Sequence, residues 1–454
     1  MSAPRFRIVS IDLFERDVRL RMPFRFGVVT LTESPQAFVR ARIRLTEGEM
    51  SGREAEGAAA ELLAPKWFDK NPALTNEDNY EQLRASLRAA RGQYLAHGMA
   101  TAWRHSMPTK GLVENYGPAL LDRALLDAFC RAQGVSFFEA IQRNLVGAEV
   151  FEGMDLENYF AKLKPLKNIA ARHTVGLVDP ITAADQQERV NDGLPETLEE
   201  VVARYGQRWF KLKVGGDSSA DVERLSAIAA VLDRIPEPYA ASLDGNEQYE
   251  DMTGVAELWS KMKAEPRLKR LVDSIIFIEQ PVKRQKALER RISGIDKPVI
   301  IDESDDSLDA FPRAKELGYQ GVSSKTCKGL YKSLINRARC EQWNREIRGS
   351  DPIYFMSGED LTIQAGLALQ QDLALVSLLG LTHVERNGHH YVNGMADLPK
   401  GEQDAFLAAH PDLYERSHGA VRVRIANGNL SIGSLGCAGY ASAAMPDWNA
   451  MRRM

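Results

Sequence analysis

The sequence predicts an α/β protein whose larger part is a (β/α) barrel, preceded by a smaller α+β unit. Three observations predict it. The first stretch alternates apolar and polar residues, as antiparallel strands do. The period then changes to a helical one. From His173 onward, short apolar runs alternate with amphipathic segments, the pattern of βα units and a parallel sheet.

Arg7 to Phe14 alternates, and Gln36 to Leu45 does so again as AFVRARIRL, apolar on one face and basic on the other, so residues 7 to 47 read as an antiparallel meander. From Asn79 the spacing is helical, and Tyr116 to Gly134 ends at a glycine suited to a helix C-cap. The α+β unit is therefore expected over residues 1–150. Eight strands follow within residues 151–400: HTVGLV from His173, WFKLKV from Trp209, YAASLD from Tyr239, SIIFIE from Ser274, KPVIID from Lys297, GVSSK from Gly321, IYFM from Ile353 and THVE from Thr382. Eight parallel strands fit a barrel, although alternation alone leaves a doubly wound open sheet open. Residues 401–454, with VRVRIANGNLSIG from Val421, resume strand and turn character and are expected to return to the first unit.

Composition excludes several classes. With 454 residues, 44% hydrophobic and 26% charged, the chain is neither disordered nor a small stapled scaffold. Its 58 basic against 62 acidic residues leave a net charge of -4, too balanced to predict a nucleic-acid or membrane partner. The cysteines Cys130, Cys327, Cys340 and Cys437 form no CxxC pair and read as reduced, buried thiols. No apolar run approaches a membrane span and the opening residues carry charges instead of an apolar signal core, so a cytoplasmic protein is expected.

Barrel enzymes place reactive groups at the carboxyl ends of their strands. Here the second strand ends in Lys211 and Lys213, two apart and so on one face, the third in Asp244 with Asn246, the fourth in Glu279, the fifth in Asp302 and Glu303, and the sixth in Lys325. Taken singly these are ordinary features: a KLK is a solvated strand face, a DGN a turn, a DES a helix cap. Their order after five successive strands is what points to chemistry. Buried charges need compensation, and carboxylates without His or Cys partners select a hard ion such as Mg²⁺, held by Asp244, Glu279 and one of Asp302 and Glu303, which point to opposite sides of their strand. An ammonium near a second cation loses proton affinity, so Lys211 is expected to lower the pKa of Lys213, while Lys325 approaches the same carbon from the opposite face. The pair suits removal of a proton next to a carboxylate, with Mg²⁺ stabilising the enediolate.

This series resembles the enolase superfamily, most nearly its muconate lactonising enzyme subgroup within the mandelate racemase/muconate lactonising enzyme family. The resemblance implies a modified TIM barrel, (β/α)7β, with an N-terminal α+β capping domain, and favours Asp302 over Glu303 as the third metal ligand. It implies Lys213 and Lys325 as acid/base catalysts, with Lys211 their electrostatic helper. The segment PFRFGVVTLTE, Pro23 to Glu33, resembles the family's substrate-covering loop, which makes Phe24, Arg25, Phe26 and Thr30 specificity candidates. Asn246, Glu303, Glu359, His383 and Glu385 are further candidate substrate contacts. Barrels of this superfamily often assemble into homo-oligomers. The implied activity is that of an isomerase or lyase on a small-molecule carboxylate. Racemisation or epimerisation comes first; cycloisomerisation, syn-dehydration of the o-succinylbenzoate-synthase kind, or a catalytically silent metal-dependent binder are the alternatives.

Departures from the family pattern bear on substrate. GEMSGREAEG replaces the usual GxGE, and the stretch from Lys66 to Gly117, with HGMATAWRHSMPTKG, is longer than the usual cap. Its His97, His105 and Lys110 read as packing or surface residues. The eighth strand, THVERNGHHY, lacks the Asp-x-Asp of dipeptide epimerases, and FMSGED lacks the catalytic His of the mandelate racemase subgroup, so dipeptides and acid sugars are disfavoured. DGNEQYEDMTG is not an EF-hand, because Tyr249 stands where that loop needs Gly, and KVGGDSSAD lacks the spacing of a phosphate loop.

Overall fold

The computed structural model describes residues 3–347 and 351–454. It opens with three long antiparallel strands, β1 (Phe6–Phe26), β2 (Val29–Leu45) and β3 (Glu54–Leu62), in the order β1-β2-β3. The strands run further than the alternation predicts, because β1 and β2 continue to a tight turn at Gly27, whose φ of +50° suits glycine. The basic face of β2 is neutralised across the sheet. Arg40 lies opposite Asp12, Arg42 opposite Glu56 and Arg44 opposite Glu54, and each pair is joined side chain to side chain.

The apolar face of this sheet is covered by the helix Leu112–Gln133, which ends at Gly134 in the left-handed conformation, as read from the sequence. Helix and sheet approach so closely at Gly57 that a Cβ there would stand 2.1 Å from the Ala128 backbone nitrogen. A buried ion pair, Arg123 to Glu61 at 2.8 Å, crosses the same interface.

Eight parallel strands then close a barrel: β4 (Asn168–Val175), β5 (Trp209–Lys213), β6 (Ala240–Asp244), β7 (Ile275–Glu279), β8 (Val299–Ile301), β9 (Gly321–Ser324), β10 (Phe355–Gly358) and β11 (His383–Arg386), with β11 pairing back onto β4. Closure excludes the open doubly wound sheet. The first strand begins five residues earlier than expected. Between the strands, helix starts follow their capping chemistry: Thr197 with Glu200 forms a capping box, and Asp217 and Asp251 cap the helices Ser218–Leu232 and Met252–Ala264.

The last segment divides its contacts. β12 (Tyr414–Ser417) and β13 (Ala420–Val423) form a hairpin, β14 (Asn429–Ser431) pairs antiparallel with the start of β4 at the foot of the barrel, and β15 (Arg452–Arg453) pairs with β1. Asp127 of the covering helix accepts the backbone N–H groups of both Ala58 and Tyr440. The segment thus touches both the barrel and the first unit. Cys130, Cys327 and Cys340 are buried free thiols, and Cys437 is half-buried and also free. No helix among the described residues is long and apolar enough to cross a membrane.

Candidate active site

Strand register sets the height of each side chain at the barrel mouth. Lys213 of β5 lies opposite Asp244 of β6, which lies opposite Glu279 of β7. Alternation sends Lys211 inward as well, one step deeper, while Phe210 and Leu212 face the surrounding helices. β9, whose end carries Lys325, lies four strands round from β5 in a barrel of eight, so Lys213 and Lys325 stand on opposite sides of the mouth.

Lys211 is the centre of the site. Its Nζ lies 2.9 Å from Asp244, 2.8 Å from Glu279, 2.8 Å from Glu359 and 2.9 Å from Glu385, with 1% of its side chain exposed. Lys213 donates to Asp244 Oδ2 at 2.5 Å and to Asn246 Oδ1 at 2.7 Å. Lys325 donates to Asp302 Oδ2 at 2.5 Å and sits 4.4 Å from the centre of the Trp67 ring. Glu303, the neighbour of Asp302, turns instead to Lys70 and Asn246. Glu359 is shared between Lys211 and Arg172. Glu385 accepts from Lys211, from Thr174 Oγ1 at 2.6 Å and from the Asp360 N–H.

These contacts raise the proton affinity of two of the lysines, Lys211 and Lys325. Burial works against the charge on Lys211, but four carboxylates outweigh it and hold its pKa well above the ordinary value. On Lys325, burial is likewise outweighed by Asp302, and the value is raised. The carboxylates divide. Burial disfavours charge on Asp244, Asp302 and Glu359, yet the adjoining cations hold all three below the usual range. Glu279 goes the other way: burial, then the charges of Asp244 and Glu359, push it well up, because Lys211 is its one close cation and is shared.

Among the described residues, no three His, Cys, Asp or Glu side chains are gathered to hold a metal ion as they stand. Lysine ammonium groups lie against the carboxylates instead. The donor chemistry nevertheless fits a hard divalent cation. Asp244, Glu279, Asp302 and Glu303 offer only oxygen, and all are fully buried at the ends of consecutive strands. Glu279 Oε2 and Glu303 Oε2 have no hydrogen-bond donor, the Lys211 contact to the former lacking hydrogen-bond geometry. The backbone beyond these strands is also held in unusual shapes, with φ of +39° at Asn246, +67° at Glu247 and +33° at Gln280, a strain of the kind found at functional sites.

The pocket over these groups is lined by Lys211, Lys213, Lys325, Asn246 and Glu385 below, and by Phe24, Phe26, Leu31 and Trp67 from the first unit above. Phe24 stacks on Tyr391 with ring centroids 4.2 Å apart. Two of the four loop candidates therefore reach the site. Arg25 and Thr30 do not: they are opposite partners in the β1–β2 hairpin, on the exposed face of a strand where a loose loop was expected. His383 is also misplaced as a substrate contact. It begins β11, at the barrel's foot, where it stacks on Trp209 at 4.1 Å and meets Arg172. His105 is buried, its ring stacked on Phe6 and paired with His97, and Lys110 is exposed, which bears out packing and surface roles for these three.

Sequence reasoning missed Trp67, Lys70, Arg172, Lys328 and Asp360. Lys328 contacts Asp302 at 3.4 Å and Asp305 at 3.1 Å. Burial pushes the Asp360 carboxyl up to about 6, and it lines the pocket. Lys328 alone had a signal, its spacing of three from Lys325 in a loop after a strand.

Comparison with known proteins agrees with this architecture. Residues 193–401 match the family described as "Enolase C-terminal domain-like". In structure the chain is similar to a 2-chloromuconate cycloisomerase from Rhodococcus opacus 1CP, with 16% identity, 98% of each chain covered and a TM-score of 0.60. It is also similar to a mandelate racemase/muconate lactonizing enzyme from Roseovarius nubinhibens ISM, with 16% identity, 98% of this chain and 96% of that one covered, and a TM-score of 0.57. A member of the enolase superfamily from Enterococcus faecalis V583 has 14% identity, 99% of both chains covered and a TM-score of 0.61. The search of curated proteins finds no match.

Proposed function

We propose that the protein is a Mg²⁺-dependent enzyme that takes the α-proton from a carboxylate substrate, with racemisation or epimerisation as its reaction. The observation that carries this reading is the placement of Lys213 and Lys325 on opposite sides of one pocket, with Asp244, Glu279 and Asp302 between them. Those three carboxylates would hold the ion, which would supply positive charge to the substrate carboxylate as electrons move onto it. Once Asp244 and Asp302 turn their oxygens away, the Lys213 and Lys325 amines are released from those contacts and can face the substrate. One lysine, neutral, then removes the Cα proton from one face; the other, as ammonium, returns a proton to the opposite face. Lys211 stays charged at the base of the site and fixes Glu279, Glu359 and Glu385. The apolar roof of Phe24, Phe26 and Leu31 favours a substrate with an apolar substituent beside its carboxylate.

A cycloisomerase or a syn-dehydratase needs only one of the two lysines as base. The likeness in fold to a cycloisomerase supports keeping cycloisomerisation as the second reading. Incubating apolar carboxylates with enzyme and Mg²⁺ in D₂O separates the cases. Deuterium at the α-carbon without change of skeleton supports the racemase, loss of water supports a dehydratase, and a ring product the cycloisomerase. Mg²⁺ binding with no exchange from any carboxylate would favour a silent binder.

A further inference from the structure

A cavity larger than the pocket at the barrel mouth lies elsewhere. It lies between the helix-bearing stretch 101–122 of the first unit and the barrel loops after β8 and β9, has a volume of about 380 Å³, and shares no lining residue with the mouth pocket. That is enough for a small ligand, whose pockets run to roughly 300–1,000 Å³. One wall is the very stretch, TAWRHSMPT, in which the sequence departs from the family pattern.

The lining is mostly apolar. Trp103 packs edge-on against Tyr331 with ring centroids 5.0 Å apart, and Phe151, Leu308 and Ile335 extend the surface. The exposed pair Arg104–Glu149 frames the entrance. At the inner end stands Lys332. It is buried, and it donates to the Asp305 carbonyl oxygen at 2.6 Å and meets Asp305 Oδ2 at 3.2 Å, which leaves a third ammonium hydrogen free. Asp305 is shared with Lys328, and Asp302 with Lys325 and Lys328, so three ammonium groups face two carboxylates along this run. The acid of the inner wall, Asp122, is occupied by the hydroxyls of Tyr94 and Ser106.

We infer that this cavity is a second small-molecule site, separate from the barrel mouth, which binds an apolar monocarboxylate with its carboxylate against Lys332 and its hydrocarbon body between Trp103, Tyr331, Phe151 and Leu308. The excess of buried cations supplies the attraction for the anion, and the aromatic walls select an apolar body over a sugar acid. Burial, with Lys328 beside it, lowers the proton affinity of Lys332 more than Asp305 and Asp306 restore it.

Calorimetric titration of the full chain with octanoate, and with octanamide as its neutral counterpart, tests this. The expected result is one saturable octanoate site per chain, with octanamide bound at least tenfold more weakly. Lys332→Met is expected to weaken octanoate at least tenfold, and Leu308→Trp, at a half-buried position on the cavity wall, to abolish it by filling the cavity. Lys213→Met, at the barrel mouth, is expected to leave it within twofold. Absence of saturable binding, binding indifferent to Leu308→Trp, or binding lost on Lys213→Met would each overturn the assignment. The last result would place the ligand at the mouth and leave the reading of the mouth itself standing.

Discussion

Replacing Lys211 by methionine removes one ammonium from among four carboxylates while keeping most of the volume of the side chain. Asp244 keeps Lys213 and Glu359 keeps Arg172, but Glu279 and Glu385 lose their one close cation. Breaking a buried pair in this way costs about 3–5 kcal/mol, since the charge left behind is desolvated and uncompensated. The loss is expected in full at pH 8. Asp244, Glu359 and Glu385 sit below their ordinary values in the wild type, so the stability they contribute is present above the usual carboxylate range, about pH 4, and is lost as the pH falls through their folded values. In Lys211→Met their proton affinity rises, so the penalty shrinks between pH 8 and pH 5 as they protonate in the folded state. Urea denaturation of both proteins at the two pH values measures this. Added Mg²⁺ is expected to recover part of the loss at pH 8, because it neutralises the same carboxylates. A deficit below about 1 kcal/mol, or one equal at both pH values, would refute the view that Lys211 holds the site together.

Three further outcomes follow from the same geometry. Lys213→Ala and Lys325→Ala are each expected to cut α-proton exchange at least about a hundredfold, the usual size of a general acid–base contribution, as read by deuterium incorporation. Glu279→Gln is expected to weaken Mg²⁺ binding in calorimetry, and in the wild type Mg²⁺ affinity is expected to fall as the pH is lowered, since the raised proton affinity of Glu279 makes protons compete with the ion. Gly57→Ala forces a Cβ into the Ala128 backbone and is expected to lower stability by about 1–3 kcal/mol in denaturant titration.

Much of the site was legible because a strand alternates with period two. Lys211 and Lys213 had to share a face, and the carboxylates that end β6, β7 and β8 had to gather at one rim once the sheet closed. The same rule, applied to Pro23–Glu33, would have separated Phe24 and Phe26 from Arg25 and Thr30. Treating that segment as a loop hid the alternation. His383 went astray because a strand's polarity decides whether its residues face the mouth or the foot, and His383 comes before the strand's core. Trp67, Lys70 and Arg172 were beyond reach for another reason. They arrive from other parts of the chain, and the lone aromatic or basic residue has no local period that reports a partner about 150 or more residues away.

The barrel's closing seam also dictates when the site can exist during synthesis. Thr174 and Glu385, bonded across the β4–β11 junction, are 211 residues apart in sequence, and Glu15 and Arg452, across β1 and β15, are 437 apart. A nascent chain that has emitted Lys211, Asp244 and Glu279 still lacks Glu359 and Glu385, so its inner lysine stays hydrated until β11 leaves the ribosome. At about 5–20 residues per second, that interval is of the order of ten seconds or more. Through it the half-built sheet presents an unpaired edge on β4, the kind of surface that chaperones shield, and the last two strands to emerge are the ones that cover the foot of that strand and the flank of β1.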